Sequence, residues 1–259
     1  MQHDNPLVSM QGVGKRYANG TLALDGMDLE IGDHEFVSFL GPSGCGKSTA
    51  LRMIAGLMSP SAGRIRIGAD SAVQPADVSF VFQEPTLMPW ATVADNVALP
   101  LSLAGLERAE MARRVGEALE MVGLGAFGKV YPRELSGGMK MRVSIARAMV
   151  TRPKLLLMDE PFAALDEMTR IKLNNDVLAL WSAHRLTTIF VTHSVYESVY
   201  LSSRIVVMAA RPGRVVADLA VDAPYPRNEE FRMSAAYSDC CRSVSTALQQ
   251  TLNGVEHAH

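Results

Sequence analysis

A glycine-rich segment, Gly41 to Thr49 (GPSGCGKST), carries the clearest chemical signal in the sequence. Gly41 is followed after four residues by Gly46, Lys47 and Ser48, which is the phosphate-loop pattern, and the segment lies between an apolar strand-like stretch and a helical stretch. Glycines allow successive backbone N–H groups to turn toward a polyphosphate, and the following helix directs its positive N-terminal end at the same anion. The lysine can then reach the outer phosphates, and the serine hydroxyl can bind Mg²⁺. The predicted phosphate-binding residues are Gly41, Pro42, Ser43, Gly44, Cys45, Gly46, Lys47, Ser48 and Thr49.

Two acidic residues, Asp159 and Glu160, end an otherwise apolar segment, LLLMDE. A strand of apolar residues is buried in a sheet, and acids at its carboxyl end lie where α/β sheets bind ligands. Beside a phosphate loop, Asp159 is predicted to hold Mg²⁺ through a water molecule, and Glu160 to orient the water that attacks the terminal phosphate. The alternatives are a solvated strand end, or an acid pair that serves only the metal.

Two other strand-like segments end in a polar side chain. VSFVFQ ends at Gln83, whose amide could contact Mg²⁺ or the attacking water, and TTIFVTHS carries His193 after its apolar run. Either residue could instead be an ordinary polar strand end that only completes local hydrogen bonds.

A second glycine segment, LSGGM (Leu135 to Met139), is predicted to open a helix with Ser136 as its cap. Ser136, Gly137 and Gly138 could therefore bind an anion through the same N-terminal physics as the phosphate loop. One chain seldom has two such sites for one nucleotide, so the second site is expected to close over a nucleotide held by another copy. The alternative is an ordinary glycine-rich helix entry.

Short apolar strands alternate with helical segments along the chain, which predicts an α/β fold with a mostly parallel sheet. Partial alternation of apolar and polar residues at Leu7 to Gln11 and Ala23 to Ile31 predicts half-exposed strands of an antiparallel edge sheet. Helical periodicity appears from Thr92 to Gly128, and residues from about 84 to 151 are interpreted as a helical subdomain inserted into the core. A helix is predicted at Glu167 to Arg185 and a hairpin at Arg204 to Leu219.

The composition bounds the class of protein. The 259 residues are 48% hydrophobic and carry a formal net charge of −2, so a large core is available and there is no electrostatic case for nucleic-acid binding. The cysteines, at positions 45, 240 and 241, form no disulfide framework, which fits a reducing, cytoplasmic setting. The N-terminal residues do not resemble a signal peptide, and no apolar run approaches the ~20 residues that span a bilayer. Any membrane part is therefore expected in another chain.

The motifs follow one another in the order Tyr17, GPSGCGKST, Gln83, LSGGM, LLLMDE, Ala164-Leu165-Asp166 and His193. In this order they closely resemble the ATP-binding subunits of ABC transporters, over nearly the whole chain up to about residue 220. The resemblance implies ATP and Mg²⁺ as cofactors, and a RecA-like P-loop NTPase core with an antiparallel β edge subdomain and an inserted α-helical subdomain. It implies an ABC ATPase domain at 1–230 and a C-terminal helical tail at 231–259.

The same resemblance implies roles for individual residues. Tyr17 is expected to stack on adenine, Leu135 to Met139 to be the signature sequence, and His193 to contact the γ-phosphate. Ala164 to Asp166 is expected to be the loop that crosses a dimer interface. Two copies would then dimerise head to tail around two Mg-ATP molecules.

The chain departs from the commonest family pattern at Met139 and Met141, where glutamine is frequent. Neither change removes the Ser136 hydroxyl or the glycine N–H groups, so catalysis is not put in doubt. Met139, together with segments 87–101 and 159–170, resembles the importer subgroup for nitrate, sulfonates, taurine and related small solutes. Some similar proteins take up pyrimidine precursors of thiamine, so the solute stays open.

The implied partners are transmembrane permease subunits and, indirectly, a periplasmic solute-binding protein, which places the chain at the cytoplasmic face of the inner membrane. Leu87 and Trp90 are predicted to dock a permease helix, or else to belong to the subdomain core. A soluble ABC ATPase that acts on DNA or ribosomes usually carries two cassettes, a long coiled coil or zinc-binding cysteines, and the sequence shows none of these. Glu160 and His193 argue against a regulator that binds nucleotide without hydrolysing it.

Overall fold

The computed structural model describes residues 6–68, 77–210 and 212–256. The chain divides into two compact units: unit 1 comprises Met1–Pro75 and Leu186–His259, and unit 2 comprises Ala76–Arg185. Of the sequence predictions, the first residues of the chain, Arg211 in the predicted hairpin and residues 257–259 of the predicted tail lie outside the described residues.

Strands and helices alternate along the described residues, as the α/β prediction requires. The strands are β1 (Val8–Arg16), β2 (Leu22–Ile31), β3 (Phe36–Leu40), β4 (Ala62–Ile67), β5 (Val78–Val81), β6 (Leu155–Asp159), β7 (Thr187–Thr192), β8 (Arg204–Ala209) and β9 (Arg214–Ala220). The helices are α1 (Lys47–Ile54), α2 (Val93–Leu103), α3 (Arg108–Met121), α4 (Gly137–Met149), α5 (Glu167–His184), α6 (Val195–Leu201), α7 (Glu229–Arg232) and α8 (Ala235–Glu256).

An antiparallel sheet in unit 1 has the strand order β2-β1-β4. Val8 of β1 pairs with Ile31 of β2 on one side and with Ile67 of β4 on the other. Met27 of β2 is buried whereas its neighbour Asp28 is exposed, because successive side chains of a strand point to opposite faces. The predicted antiparallel edge sheet is confirmed.

Parallel strands form the centre of unit 1, where β3 lies between β7 and β8. Every residue of these three strands is buried, in agreement with apolar strands covered on both faces. Strand β9 pairs antiparallel with β8, which confirms the predicted hairpin. Leu40 of β3 pairs with Thr192 of β7, so the chain leaves both strands at the same edge of the sheet.

Unit 2 contains the parallel pair β5 and β6 and the helices α2 to α5, of which α4 packs against α2, α3 and α5. The prediction that the first of these strands ends at Gln83 is wrong, since β5 ends at Val81. The chain turns shortly afterwards, because Pro85 has no N–H group to continue a ladder and Thr86 adopts a φ of 48°.

Helix α5 has clear signals at both ends. The side chain of Asp166 accepts a hydrogen bond from Thr169 N at 2.9 Å, which caps the start of the helix. Arg185 has a φ of 50°, and this left-handed conformation ends the helix one residue before the predicted boundary.

Helix α8 lies within the segment 231–259 that is predicted as a C-terminal helical tail. Ser234 Oγ accepts a hydrogen bond from Tyr237 N at 3.1 Å, so Ser234 caps a helix that starts at Ala235. Tyr237 and Val244 are buried, and α8 packs against α6 and β8. Over the described residues, no helix has the length and hydropathy needed to cross a bilayer.

Candidate functional site

The phosphate loop joins β3 to α1 in unit 1 and requires glycine at two positions. A Cβ on Gly41 would lie 2.4 Å from the carbonyl oxygen of Met208 in β8, so the loop backbone runs too close to that strand for a side chain. Gly46 caps α1 with a φ of 91° and without a side-chain hydrogen bond. Glycine adopts this φ without steric cost. The start of α1 is therefore left to bind an anion through its N–H groups.

Lys47 brings a positive charge to the loop. It is only 4% exposed, and its Nζ donates hydrogen bonds to the carbonyl oxygens of Gly41 at 2.7 Å and Pro42 at 3.1 Å. The first turn of α1 contains no acidic residue, so nothing on that turn opposes the helix dipole. Ser48, the next residue of the helix, is half-buried. An ammonium group, a hydroxyl and a helix N-terminus thus converge on one loop.

Cys45 is a fully buried part of the loop. Burial raises the pKa of its thiol, and the charge of Lys47, with Nζ 3.9 Å from Sγ, opposes this rise without cancelling it. The thiol is therefore protonated at neutral pH. An uncharged side chain at this position does not repel a polyphosphate.

Tyr17 follows β1 and lies beside the end of the phosphate loop. Its hydroxyl is 3.2 Å from Oγ1 of Thr49, and the side chain is 36% exposed. Lys15 Nζ lies 5.9 Å from the ring centroid, in the range of a cation–π contact. An exposed aromatic ring next to a phosphate loop can stack on a nucleotide base.

His193 is exposed and comes directly after β7. Around it, Thr192 Oγ1 donates to Oε2 of the buried Glu197 at 2.6 Å, and Ser194 N donates to Thr192 Oγ1 at 3.0 Å. Ser194 Oγ in turn accepts from Glu197 N at 3.3 Å and caps α6. This network was not predicted, although Ser194 followed three residues later by Glu197 is a known signal for a helix start.

The phosphate loop and His193 leave the sheet of unit 1 at one edge. Gly41 directly follows Leu40 and His193 directly follows Thr192, and these two strand residues are paired. The carboxyl ends of parallel strands are where α/β sheets bind ligands. Tyr17 reaches the same loop from the antiparallel sheet.

In unit 2, Asp159 and Glu160 end β6. Asp159 is the last residue of the strand and is 6% exposed, whereas Glu160 is half-buried and has a φ of 45°. A residue other than glycine in this left-handed region costs about 1–3 kcal/mol, and such strain is found preferentially at functional sites. The fold thus fixes the direction in which the Glu160 side chain leaves the strand.

Gln83 lies near these acids in the topology of unit 2. The last pair of the β5–β6 ladder is Val81 with Met158, so Gln83 and Glu160 each follow the same end of this parallel pair by two residues. Gln83 is exposed. Its amide oxygen and the carboxylates of Asp159 and Glu160 therefore belong to one edge of unit 2.

The glycine segment LSGGM opens α4, as predicted. Ser136 Oγ accepts a hydrogen bond from Met139 N at 3.3 Å and caps the helix, and both Ser136 and Gly137 are exposed. A Cβ on Gly138 would lie 2.5 Å from Cγ2 of Thr169. Thr169 N and Oγ1 donate to Asp166, and these hydrogen bonds lower the pKa of its carboxyl group. Unit 2 therefore brings the LSGGM segment and the 164–166 loop together.

Each unit, taken by itself, contains groups that suit a magnesium nucleotide. Unit 1 supplies a helix N-terminus, the Lys47 ammonium and the Ser48 hydroxyl, which suit phosphate oxygens and a hard cation. Unit 2 supplies the Asp159 carboxylate and the Gln83 amide, which are oxygen ligands of the kind that Mg²⁺ prefers. Across the described residues no cluster of three or more His, Cys, Asp or Glu could hold a metal by itself.

Comparison with known proteins agrees with this chemistry. Residues 24–163, more than half of the chain, match the family model described as ABC transporter. A taurine import ATP-binding protein of Rhizobium johnstonii is 47% identical over 208 residues, which are 80% of this chain and 79% of the relative. An aliphatic sulfonates import ATP-binding protein of Bacillus cereus is 43% identical over 226 residues, 86% of this chain and 89% of the relative. The resemblance to the sulfonate and taurine subgroup is confirmed.

Solved structures confirm the fold class. The dimeric post-hydrolysis state of an ATP-binding cassette bound to ADP and Pi matches with a TM-score of 0.73 at 32% identity, and the match covers 84% of this chain and 100% of that one. The predicted α/β, RecA-like P-loop NTPase core is therefore correct. The chain belongs to the ABC transporter family, as an ATP-hydrolysing cassette that uses ATP and Mg²⁺.

Proposed function

We propose that this cassette energises the uptake of a small solute (nitrate, a sulfonate, taurine or a similar compound) through a separate membrane permease. The observation that carries the proposal is the 47% identity to a taurine import ATP-binding protein over 80% of the chain. The alternative solute is a pyrimidine precursor of thiamine, with the same ATPase role. A soluble ABC ATPase without a transport role is less favoured, because the two relatives described above are named as import proteins.

Nucleotide binding is assigned to residues of unit 1. Tyr17, exposed beside Thr49, stacks on adenine, and Gly41–Thr49 holds the polyphosphate. Lys47 exchanges its hydrogen bonds to loop carbonyls for bonds to the outer phosphates, which are stronger because both partners are charged. His193 donates a hydrogen bond to the γ-phosphate.

Hydrolysis is assigned to Ser48 of the phosphate loop and to Gln83, Asp159 and Glu160 of unit 2. Ser48, Gln83 and Asp159 hold Mg²⁺, which neutralises the charge that develops on the phosphates. Glu160 orients and polarises the attacking water, and Gln83 assists in positioning it. The strained backbone of Glu160 supports this role, because it restricts the carboxylate to a narrow range of directions.

A second copy of the chain is the first proposed partner. Two copies bind two Mg-ATP molecules head to tail, so that Ser136, Gly137 and Gly138 of one copy complete the site of the other. The exposure of Ser136 and Gly137 supports this arrangement, as does the dimeric state of the similar cassette bound to ADP and Pi. The 164–166 loop, packed beside the signature glycines, crosses the interface.

We retain the domain division into an ABC ATPase domain at 1–230, with a helical subdomain at about 84–151, and a C-terminal helical tail at 231–259. Helices α2, α3 and α4 fall within 84–151, and most of the tail is α8. The tail packs against α6 and β8.

The second proposed partner is a pair of transmembrane permease subunits, fed by a periplasmic solute-binding protein. Trp90, which is 78% exposed, and the half-buried Leu87 supply apolar contacts for a permease helix. This places the cassette as a peripheral protein at the cytoplasmic face of the inner membrane. No nucleic acid is involved, in line with the net charge of −2.

Uptake by cells that lack the chromosomal copy tests this function. The wild-type protein should restore the uptake of one labelled solute among nitrate, taurine, an alkanesulfonate and a pyrimidine precursor. The Glu160→Gln protein should restore none of them. The purified Glu160→Gln protein should bind ATP normally but hydrolyse it about 10²–10⁴-fold more slowly, since the general base is lost. Near-normal hydrolysis would remove Glu160 from catalysis. If cells without the cassette take up all of these solutes normally, the proposed role in import is wrong.

A further inference from the structure

Helix α6 is a short helix that begins two residues after His193. Its seven residues span about 10 Å, and a helix of this length is not stable in water without contacts to the rest of the protein. The side chains from Glu197 to Leu201 are buried, so α6 is enclosed within unit 1. The position of His193 therefore depends on the groups that hold α6 in place.

The C-terminal end of α6 is held by side chains from residues 225–237 (the 225–237 segment). The last carbonyl groups of a helix have no partner within the helix and need one elsewhere. Arg227 Nη1 lies within hydrogen-bond distance of three such carbonyl oxygens, those of Val199, Tyr200 and Ser202, at 2.8, 3.0 and 2.9 Å. The carbonyl oxygen of Leu201 accepts from the Tyr225 hydroxyl at 2.8 Å. Every carbonyl group from 199 to 202 is therefore satisfied by this segment.

The guanidinium of Arg227 is shaped to this helix end. Arg227 is only 5% exposed, and its Nη2 donates to the carbonyl oxygen of Ala223 at 3.0 Å. Its guanidinium carbon lies 4.1 Å from the ring centroid of Tyr225 and 5.2 Å from that of Phe231, within cation–π range. Its side-chain hydrogen bonds within the described parts of the chain all end on main-chain carbonyl oxygens. The positive charge thus meets the negative end of the α6 dipole.

The same segment also contacts the start of α6. Tyr237, which is 8% exposed, donates from its hydroxyl to the carbonyl oxygen of Tyr196 at 3.0 Å, in the first turn of the helix. In the other direction, the hydroxyl of Tyr200 donates to the carbonyl oxygen of Arg227 at 2.9 Å. Hydrogen bonds therefore join α6 to the 225–237 segment near both ends of the helix.

We propose that Tyr225, Arg227 and Tyr237 are positioning residues that fix α6 and thereby direct His193 toward the γ-phosphate. The 225–237 segment is then part of the scaffold of the nucleotide site, although it lies beyond the last of the sequence motifs. The proposal deepens the proposed function and rests on it, because it requires His193 to contact the γ-phosphate. Only ATP carries that phosphate, so a displaced His193 should weaken the preference for ATP over ADP.

Arg204 of β8 provides a matched control for the loss of a buried arginine from unit 1. It is 3% exposed, and its guanidinium donates to the carboxylates of Asp218 and Glu35 and to the carbonyl oxygen of Glu30. None of these three partners belongs to α6. Arg204→Met should therefore lower the free energy of unfolding without moving His193.

The position of His193 is measured by NMR on the full-length protein with isotope-labelled histidine. The sequence has six histidines, and the signal lost in His193→Gln assigns that residue. The variants are Arg227→Met, Arg227→Lys, Tyr225→Phe and the control Arg204→Met, each checked by thermal unfolding. Tyr225→Phe keeps the ring and removes only the hydroxyl that binds Leu201, so it tests the same helix end with little loss of packing. Calorimetry measures affinity for Mg-ADP and for Mg²⁺ with a non-hydrolysable ATP analogue.

Arg227→Met should shift the ring signals of His193. It should also lower the preference for the ATP analogue over ADP about threefold, while affinity for ADP stays within about twofold. Arg227→Lys should restore part of this preference, Tyr225→Phe should give a smaller shift of the His193 signals, and Arg204→Met should give none. In a His193→Gln background, Arg227→Met should reduce the preference no further, because both changes remove the same interaction.

Unmoved His193 signals in folded Arg227→Met, or in Tyr225→Phe if Arg227→Met does not fold, would overturn the positioning role. An equal shift in Arg204→Met would overturn it as well. So would an additive loss of preference in the double variant, since Arg227 would then act on the nucleotide by another route. If His193→Gln alone keeps the full preference for ATP, the proposed contact with the γ-phosphate is wrong, and the NMR signals decide by themselves whether Arg227 positions His193.

Discussion

The two helix N-termini that we propose as anion sites, at α1 and α4, differ in how they are built. At α1 the cap is Gly46, which offers no side-chain hydrogen bond, and Lys47 lies buried against the loop. At α4 the cap is Ser136, whose hydroxyl accepts from Met139 N, and the segment is exposed. The first terminus is an enclosed and strongly positive site, whereas the second is an open site with its own cap.

The difference supports the proposal that the two sites serve one nucleotide. The site at α1 combines backbone N–H donors with the cation of Lys47, and its glycines allow a ligand to approach the backbone closely. It can therefore bind phosphate by itself. The hydroxyl of Ser136 already accepts a hydrogen bond, but its O–H proton is available to donate to a phosphate oxygen. The site at α4 is therefore suited to add to a bound nucleotide presented by another copy. This division predicts that variants at the two sites affect different measurements.

Lys47→Met should give the largest effect on binding. It removes the buried ammonium while keeping the apolar stem, and charge-assisted hydrogen bonds contribute about 1.5–3 kcal/mol, so ATP affinity of the monomer should fall about 10–100-fold. Calorimetry at protein concentrations below dimer formation measures this directly. Lys154→Met is the matched control, because Lys154 is an exposed lysine that pairs with Asp77 at 3.5 Å. If the monomer binds ATP with unchanged affinity after Lys47→Met, α1 is not the primary phosphate site.

Ser136→Ala should leave ATP binding by the monomer unchanged and lower hydrolysis about tenfold or more, because the donor that completes the site across the dimer is lost. It should also reduce ATP-dependent dimerisation, which analytical ultracentrifugation measures. The lost cap will lower the free energy of unfolding by about 1 kcal/mol, so stability alone cannot explain a large loss of activity.

Thr92→Ala provides the control for this loss of a cap. Thr92 Oγ1 caps α2 by accepting from Asp95 N at 3.2 Å, within the same unit as Ser136. Its replacement should lower stability by a similar amount but leave hydrolysis within about twofold. If both variants lose activity equally, Ser136 is only a helix cap, and the contrast between the two termini fails.

Local signals made much of this architecture predictable. The phosphate loop follows from the spacing of Gly41, Gly46 and Lys47 between a strand and a helix, and the structure has that order. The start of α5 follows from its Asp166 cap, and the buried strands follow from continuous apolar runs. The start of α8, within the predicted helical tail, has an equally local signal in the cap that Ser234 provides.

The remaining features depend on contacts between distant residues. Strand β5 stops before Gln83 because the chain turns at Thr86, and Arg147, which holds that turn, lies 61 residues away along the chain. The positive φ of Glu160 could not be predicted from its residue type, since glutamate ordinarily avoids this region. Sequence patterns indicated candidate residues for the site, but not the geometry that distant contacts impose on them.

Cys45 lies inside the α1 site and gives a finer test of how enclosed that site is. Burial raises the pKa of its thiol, so the thiolate fraction at pH 7 should be below that of a free cysteine, and alkylation by iodoacetamide should be correspondingly slow. Because only the thiolate reacts, the rate should rise about tenfold per pH unit until the thiol titrates, and bound Mg-ATP should slow it at every pH.

Cys241, whose pKa is also raised by burial but which lies on α8, is the internal control, and mass spectrometry resolves the two sites. Equal protection of both cysteines by nucleotide would show that ATP stabilises the whole protein rather than covering the loop. Rapid alkylation of Cys45 at pH 7 would show that the charge of Lys47 outweighs burial, and the α1 site would then be more open than its buried lysine indicates.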